Sequence, residues 1–367
     1  MKIAIFHELD FGGARRTVDE FAKRLNQIFD IDLYYLDDKE EINIKNRYKN
    51  VYYYPFYPKS WKGNNWKTRL YKDTVELFKL YGLHKKIAND IKLKNYDYVF
   101  VHPSKYTQAP FLLKFLENCI YYCQEPLRIV YDPLVSDIYR IKFPKNMYEF
   151  INRRIRKWID KENFKNARVV LSNSKFSKHT IEKSYGKSAE VCYLGVDENF
   201  FKPLDIKKTI DVLFIGNRDD GYALLNKLPS YFDNIINIYT IFRGNGSMKV
   251  TDMRLVEIYN RSKVLVALNH NEPFGLIPLE AMACGTPVIA VDEGGYKESI
   301  AENITGFLIP RDSNKLHKKI KEILGNDRLR SNMAKAAREY ILKNWTWDKS
   351  VQRLLQIIKN FDAYEKC

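Results

Sequence analysis

No stretch of this sequence stays apolar for the roughly 20 residues that a membrane-crossing helix needs, so no transmembrane helix is expected. Cysteine is scarce: five in 367 residues, at Cys119, Cys123, Cys192, Cys284 and Cys367. The number is odd and no C-x-x-C occurs, which argues against a disulfide framework or a thiolate zinc site and favours a reducing compartment. The sequon Asn303-Ile304-Thr305 is then silent. G-x-G-x-x-G is also missing, so a dinucleotide site is not indicated. The opening MKIAIFHELDFGG reads as a strand entering a glycine loop and not as a signal peptide. A cytoplasmic protein is the expectation.

What is present is a globular composition, 45% hydrophobic and 29% charged, long enough for two domains with separate cores. The formal charge of +16 is unevenly spread: residues 1–194 hold 36 basic and 23 acidic residues, residues 195–367 hold 25 and 22. A basic first half suits an anionic membrane surface, a phosphorylated acceptor or nucleic acid; it is equally the background of a lysine-rich chain.

The stretch Asn269 to Glu298, NHNEPFGLIPLEAMACGTPVIAVDEGGYKE, organises the rest. It predicts a loop, a helix over about Pro278 to Ala283, a turn, a buried strand Val288–Val291 and a glycine turn at Gly294-Gly295. Pro278 suits a first helical turn because its missing N–H would be unpaired there anyway. Gly285 suits a C-cap and Pro287 blocks continuation. A helix start offers free N–H groups and a positive dipole end to an anion, and Gly275 permits close approach. Glu272 and Glu280 can accept hydrogen bonds from sugar or ribose hydroxyls. The plainer alternative is a surface helix with two solvated acids.

EPFGLIPLEAMACGTPVIA resembles the signature of the retaining glycosyltransferases of family 4, which have two facing Rossmann-like domains. The resemblance implies an α/β fold of the B-type: an acceptor domain over residues 1–200, a nucleotide-sugar domain over 201–347, a deep cleft between them, and a C-terminal helix, 348–367, crossing back to the first domain. It implies that Glu272 contacts the donor sugar, that Glu280 holds the ribose, and that backbone amides of Phe274, Gly275 and Leu276 meet sugar and diphosphate. It also implies a metal-independent reaction with no cofactor, the nucleotide-diphospho-sugar being a co-substrate.

Along the first half, Lys2–His7 reads as a strand, Asp10-Phe11-Gly12-Gly13 as a turn and Thr17–Leu25 as a helix. By the resemblance, Gly12 and Gly13 let the donor approach; alone they make an ordinary βα turn. Ile31–Leu36 reads as a strand, and Asp30-Ile31-Asp32 is taken as its start, not as a D-x-D metal motif. Lys45–Lys72, with Trp61 and Trp66, reads as an aromatic excursion that could face the acceptor, with ordinary packing as the plainer role. Tyr96–His102 and Ile120–Cys123 read as strands whose C-terminal ends face a crevice. YCQEPLR resembles a Y-C-H-T-P-x-R pattern in some family members, with Gln124 where they have a sugar-facing His. Gln can hydrogen-bond a hydroxyl but cannot titrate near neutrality, so any acid–base role of that His is either absent here or displaced to Glu125 or His102. His102, Glu125 and Arg128 are the acceptor-side candidates. Met147–Ala167 reads as an amphipathic helix, with Tyr148, Ile151, Ile155, Trp158 and Ile159 packed on the core and a solvated basic face. A membrane-lying helix is the alternative.

LSNSKFS and YLGVDENFFKP resemble the family's passage between domains, which places a hinge near Gly195–Ile210. DVLFI then begins the second domain. Arg218 matches the family's diphosphate-neutralising Arg, Lys227 is the candidate for its missing Lys, and Arg243-Gly244-Asn245-Gly246 resembles the turn beside the nucleotide base. NWTW and the apolar face Val351, Leu354, Leu355, Ile358 mark the final helix. The expected partners are a nucleotide sugar, a glycan or lipid-linked acceptor, and an anionic membrane touched through the basic first domain; nucleic acid is not expected. Rival readings are a nucleotide-sugar 2-epimerase, a phosphorylase, a binding homologue without turnover, and a basic nucleic-acid scaffold. The last would need stacking aromatics interleaved with Lys and Arg, hinted at only in residues 51–72.

Overall fold

The short apolar runs become strands covered on both faces. The computed structural model describes residues 1–9, 12–36, 47–58, 66–132, 143–218, 220–225, 228, 236–243 and 250–364. β1 (Lys2–His7), β2 (Asp30–Tyr35), β3 (Asn50–Tyr53), β4 (Tyr98–Val101), β5 (Cys119–Tyr122), β6 (Val169–Ser172) and β7 (Glu190–Val191) form one sheet in the order β3-β2-β1-β4-β5-β6-β7. β8 (Ile210–Asn217), β9 (Ile238–Arg243), β10 (Ser262–Ala267), β11 (Val288–Val291) and β12 (Gly306–Ile309) form a second, in the order β12-β11-β10-β8-β9. Every pairing in both sheets is parallel. β4, β5, β6 and β11 are buried throughout, which is why they read as continuous apolar runs instead of alternating ones.

The chain divides into two compact units, Met1–Asn173 with Ser177–Val191, and Ser174–Phe176 with Cys192–Cys367. The stretch Gly195–Ile210, expected as a hinge, is held along its length by the second unit. Val196 N–H donates to the Trp345 carbonyl at 2.8 Å, and Leu204 N–H to Asn260 Oδ1 at 2.7 Å. Arg338 donates to the carbonyls of Phe201 and Glu198. A Cβ on Gly195 would stand 2.4 Å from the Trp347 nitrogen, so only glycine fits there. The helix Trp347–Tyr364 counts with the same unit, and its Ser350 carbonyl accepts from Cys192 Sγ.

In the first unit β3 rises out of the aromatic excursion; Trp61 lies outside the described residues. Asp32 is fully buried and accepts from Tyr96 Oη at 2.6 Å and Asn50 Nδ2 at 2.9 Å, a tie between strands. The helix expected at 147–167 spans Lys145–Phe164, but its orientation overturns most of the expectation. Ile159 packs on the core as expected, whereas Ile151, Ile155 and Trp158 are exposed, and the buried side carries Glu149, Asn152, Asp160 and Asn163 before ending in Phe164. Periodicity identifies two faces; it does not say which one the sheet will cover.

Candidate functional site

The loop and helix after β10 are built by glycines. The helix spans Leu276–Ala283, starting two residues earlier than the sequence suggests. Gly275 caps it with φ 93°, a left-handed conformation that side chains resist. A Cβ there would lie 2.7 Å from the Tyr296 ring, so Gly275 has a packing reason besides ligand approach. At the other end, Gly285 (φ 71°) N–H bonds to the Met282 carbonyl and Thr286 N–H to the Ala281 carbonyl. That pair is the Schellman arrangement, which satisfies the last carbonyls. Phe274 is 1% exposed and packs on Trp345 at 5.4 Å, so only its backbone can meet a ligand.

Glu280 is 3% exposed, and its Oε2 accepts from the Tyr259 hydroxyl at 2.8 Å. A buried carboxylate is costly unless hydrogen-bonded, and this bond orients it. Glu272 is half-buried, and Asn269 Nδ2 donates to its Oε2 at 3.1 Å. Gly294 and Gly295 hold its backbone: Gly295 N–H donates to the Glu272 carbonyl at 2.8 Å, and Cβ atoms on either glycine would come within 2.5 Å of this loop. Ser174 Oγ donates to the Pro273 carbonyl at 2.6 Å. The loop is thus held rigid around both glutamates.

Neighbours that the sequence does not announce complete the surroundings. His270 Nδ1 lies 2.6 Å from Asp220 Oδ1, and its N–H donates to the same oxygen. Arg311 grips Glu293 through both oxygens, at 2.9 and 2.6 Å, and donates to the Leu268 carbonyl. That guanidinium holds the Glu293 carboxyl below the usual range. Glu298 accepts from the N–H groups of Lys175 and Phe176 and from Tyr193 Oη. Asn269 Oδ1 is buried and, among the described residues, has no hydrogen-bond partner.

Arg218 follows β8, exposed, with its guanidinium 4.8 Å above the Phe242 ring. Arg243 ends β9. Lys227 lies outside the described residues.

In the first unit, Gly12 is exposed beside the helix Gly13–Leu25, and among the described residues nothing lies within 4 Å of where a Cβ would sit. His102 contradicts its expected role on the acceptor side. It is fully buried, edge-on to Phe100 and Tyr122, and burial pushes its pKa down to about 3. A neutral histidine without exposure cannot serve as an accessible acid or base here. Gln124 is half-buried, and its Nε2 has no partner among the described residues. Arg128 is engaged by Asp132 at 3.0 Å and stands 3.9 Å from Glu125.

The same unit holds a cavity of about 450 Å³ lined in part by Arg69, Lys72, Asp73, Tyr106, Asn152 and Arg156. Lys72–Glu76 forms a π-helical turn, a feature frequent at functional sites. Asp73 is tied to Arg156 at 2.6 Å, to Tyr148 Oη at 2.8 Å and to Asn152 Nδ2 at 3.0 Å. No local motif signalled this cavity; only the aromatic excursion hinted at it.

A sequence model of the family described as glycosyl transferases group 1 matches residues 247–340. A D-inositol 3-phosphate glycosyltransferase of Saccharomonospora viridis is 32% identical over 106 residues, 29% of this chain and 24% of that protein. An uncharacterised glycosyltransferase of Methanocaldococcus jannaschii is 27% identical over 225 residues, 56% of this chain and 57% of that one. The chain thus spans between a quarter and somewhat over half of these relatives. Among solved structures, sucrose-phosphate synthase of Thermosynechococcus elongatus superposes with a TM-score of 0.70 at 16% identity, covering 99% of both chains. Anabaena HepE in complex with UDP and glucose gives 0.67 at 16% identity, covering 98% of this chain and 99% of that one. These likenesses establish the B-type glycosyltransferase fold over nearly the whole chain.

Proposed function

We propose that this chain, whose residues 247–340 match the model of the group 1 glycosyl transferases, moves a sugar from a nucleotide-diphospho-sugar to a glycan or lipid-linked acceptor, with retention and without a metal. The observation that carries the reading is Glu280: a buried carboxylate fixed by Tyr259, on a helix whose start is a left-handed glycine. A fixed acceptor of hydrogen bonds beside a helix N-terminus suits a ribose next to phosphates.

In this reading Glu272 positions the donor sugar. The bond from the anomeric carbon to the diphosphate oxygen breaks, and the acceptor oxygen bonds to that carbon on the same face. The acceptor's proton leaves with the nucleoside diphosphate. Arg218 and the amides of Gly275 and Leu276 stabilise the charge developing on the departing diphosphate. The second unit takes the donor. The first takes the acceptor, with Gln124 and Glu125 near it and the cavity at Asp73 and Tyr106 as its pocket. A cytoplasmic location belongs to the same reading. Among the described residues no helix is long and apolar enough to cross a membrane.

The test is release of nucleoside diphosphate from UDP-, GDP- and ADP-sugars, with cell extract or lipid as acceptor. UDP-sugars come first, because HepE was solved with UDP and with UDP-glucose. Release from one donor, unaffected by chelator and lost in Glu280→Ala and Glu272→Ala, is the expected result. Absence of both release and calorimetric donor binding would overturn the donor site.

A further inference from the structure

The helix Lys145–Phe164 is amphipathic in the opposite sense to a helix that packs on a core. Apart from Ile159 and Phe164 near its C-terminal end, its inner side is polar and bonded. Glu149 pairs with Arg69, Asn152 and Arg156 bond to Asp73, and Asn163 Nδ2 donates to the Ala109 carbonyl at 2.8 Å. Asp160 accepts from Ala109 N–H at 3.0 Å and Tyr185 Oη at 2.7 Å. Its outer side is apolar: Met147 is 56% exposed, Ile151 51%, Ile155 49% and Trp158 62%, with Phe150 beside them. These positions recur at three- and four-residue spacing, so they form one stripe.

Cations flank the stripe on the same outward side. Arg154, Lys157 and Lys161 are exposed there, Arg154 lies 4.4 Å over the Phe150 ring, and Lys114 reaches over Trp158. Just before the helix, Phe143 is 76% exposed. Water gives such a surface no compensation, since a contiguous exposed apolar stripe of this kind marks a contact surface. Charge selects the partner. An apolar stripe edged by lysine and arginine, with an indole between the two, fits the boundary between anionic headgroups and acyl chains.

We propose that the outward face of Lys145–Phe164 docks the protein on an anionic lipid bilayer, lying in the plane of the interface with Met147, Ile151, Ile155 and Trp158 buried among the lipids. The opposite side of the same helix supplies Asn152 and Arg156 to the 450 Å³ cavity. Docking would therefore hold that cavity a helix's width from the lipid surface, which suits a lipid-linked acceptor. That last step rests on the function proposed above; the docking itself does not.

The experiment is flotation of the full chain with phosphatidylcholine vesicles, with and without about 30% phosphatidylglycerol, alongside donor binding by calorimetry. Binding to the anionic vesicles alone, weakened by salt, is expected. The variant Ile151→Ser/Ile155→Ser/Trp158→Ser should lose it by about tenfold or more, and Arg154→Glu/Lys161→Glu likewise, while both keep the wild-type melting temperature and donor affinity. Flotation of the serine variant like wild type would overturn the proposal. So would failure of the wild type to float. Dimerisation or nucleic-acid binding abolished by the same variants, without lipid binding, would assign the face to another partner and also overturn it. Donor binding without flotation leaves the transferase reading standing; flotation without donor binding leaves only the docking.

Discussion

The hydroxyl of Tyr259, on the helix Asp252–Arg261, donates to Glu280 Oε2 at 2.8 Å, and both side chains are buried. The bond fixes the direction of the carboxylate, which the proposed function assigns to a ribose. Tyr259→Phe deletes this hydrogen bond to the carboxylate, a loss of about 1.5–3 kcal/mol for a charged acceptor. The expected outcome is a donor Kd raised by about tenfold or more, with kcat at saturating donor within about threefold. Calorimetry and steady-state kinetics read the two separately; an unchanged Kd would place the ribose elsewhere.

Two glycines make opposite predictions. Gly275→Ala meets the Tyr296 ring and a φ of 93°, so it should cost about 1–3 kcal/mol and lower Tm by several degrees. Gly12→Ala meets nothing within 4 Å among the described residues and should leave Tm unchanged. If the Gly12-Gly13 turn receives the donor, Gly12→Ala lowers kcat/KM all the same. Wild-type kinetics in that variant would remove the turn from the site.

Asp160 supplies a pH dependence with a definite sign. Burial pushes its pKa up to about 7, against the bonds from Ala109 and Tyr185. Unfolded aspartate titrates near ~3.9. Between these values the folded protein keeps a proton that the unfolded chain releases. The stability held below about pH 4 is therefore lost as pH rises to about 7, on the order of 4 kcal/mol. Urea unfolding at pH 4.5 and 7.5 should show Asp160→Asn flattening that fall. Equal falls in the two proteins would refute the assignment.

Gln124 presents a buried Nε2 with no partner among the described residues. Gln124→Leu deletes that unmet donor, so stability should hold or rise by up to about 1 kcal/mol. If the amide meets a substrate hydroxyl, turnover falls by about tenfold or more. Melting curves and nucleoside diphosphate release separate the two roles, and full activity in the variant would make Gln124 a structural residue.

How legible the site was follows sequence separation. Gly275, Pro278, Glu280 and Gly285 sit within one short helix and its caps, so spacing and cap chemistry placed them. The bonds Tyr259–Glu280, Asp220–His270 and Glu293–Arg311 join distant positions through the sheet, and no local pattern marks them. His102 looked like a polar strand tip, yet Phe100 and Tyr122 close over it. The parallel strands were legible because burial on both faces demands apolar runs. The helix Lys145–Phe164 was located but turned over, because its inward side spends charge on charge instead of apolar surface on apolar surface.

The first sheet also dictates an order of assembly. β1 pairs on one side with β2, where Ile3 meets Ile31, and on the other with the much later β4, from Ile3↔Tyr98 to Phe6↔Val101, and β5 follows β4. A ribosome adding ~5–20 residues per second leaves one edge of β1 open for roughly five to twenty seconds. During that time a strand buried in the finished unit presents unpaired N–H and C=O groups to any neighbouring chain. The unit therefore cannot complete its centre until about residue 101 has emerged. Slowed synthesis ahead of β4, or a truncation there, exposes a nascent chain primed for aggregation, whatever the final stability of the fold.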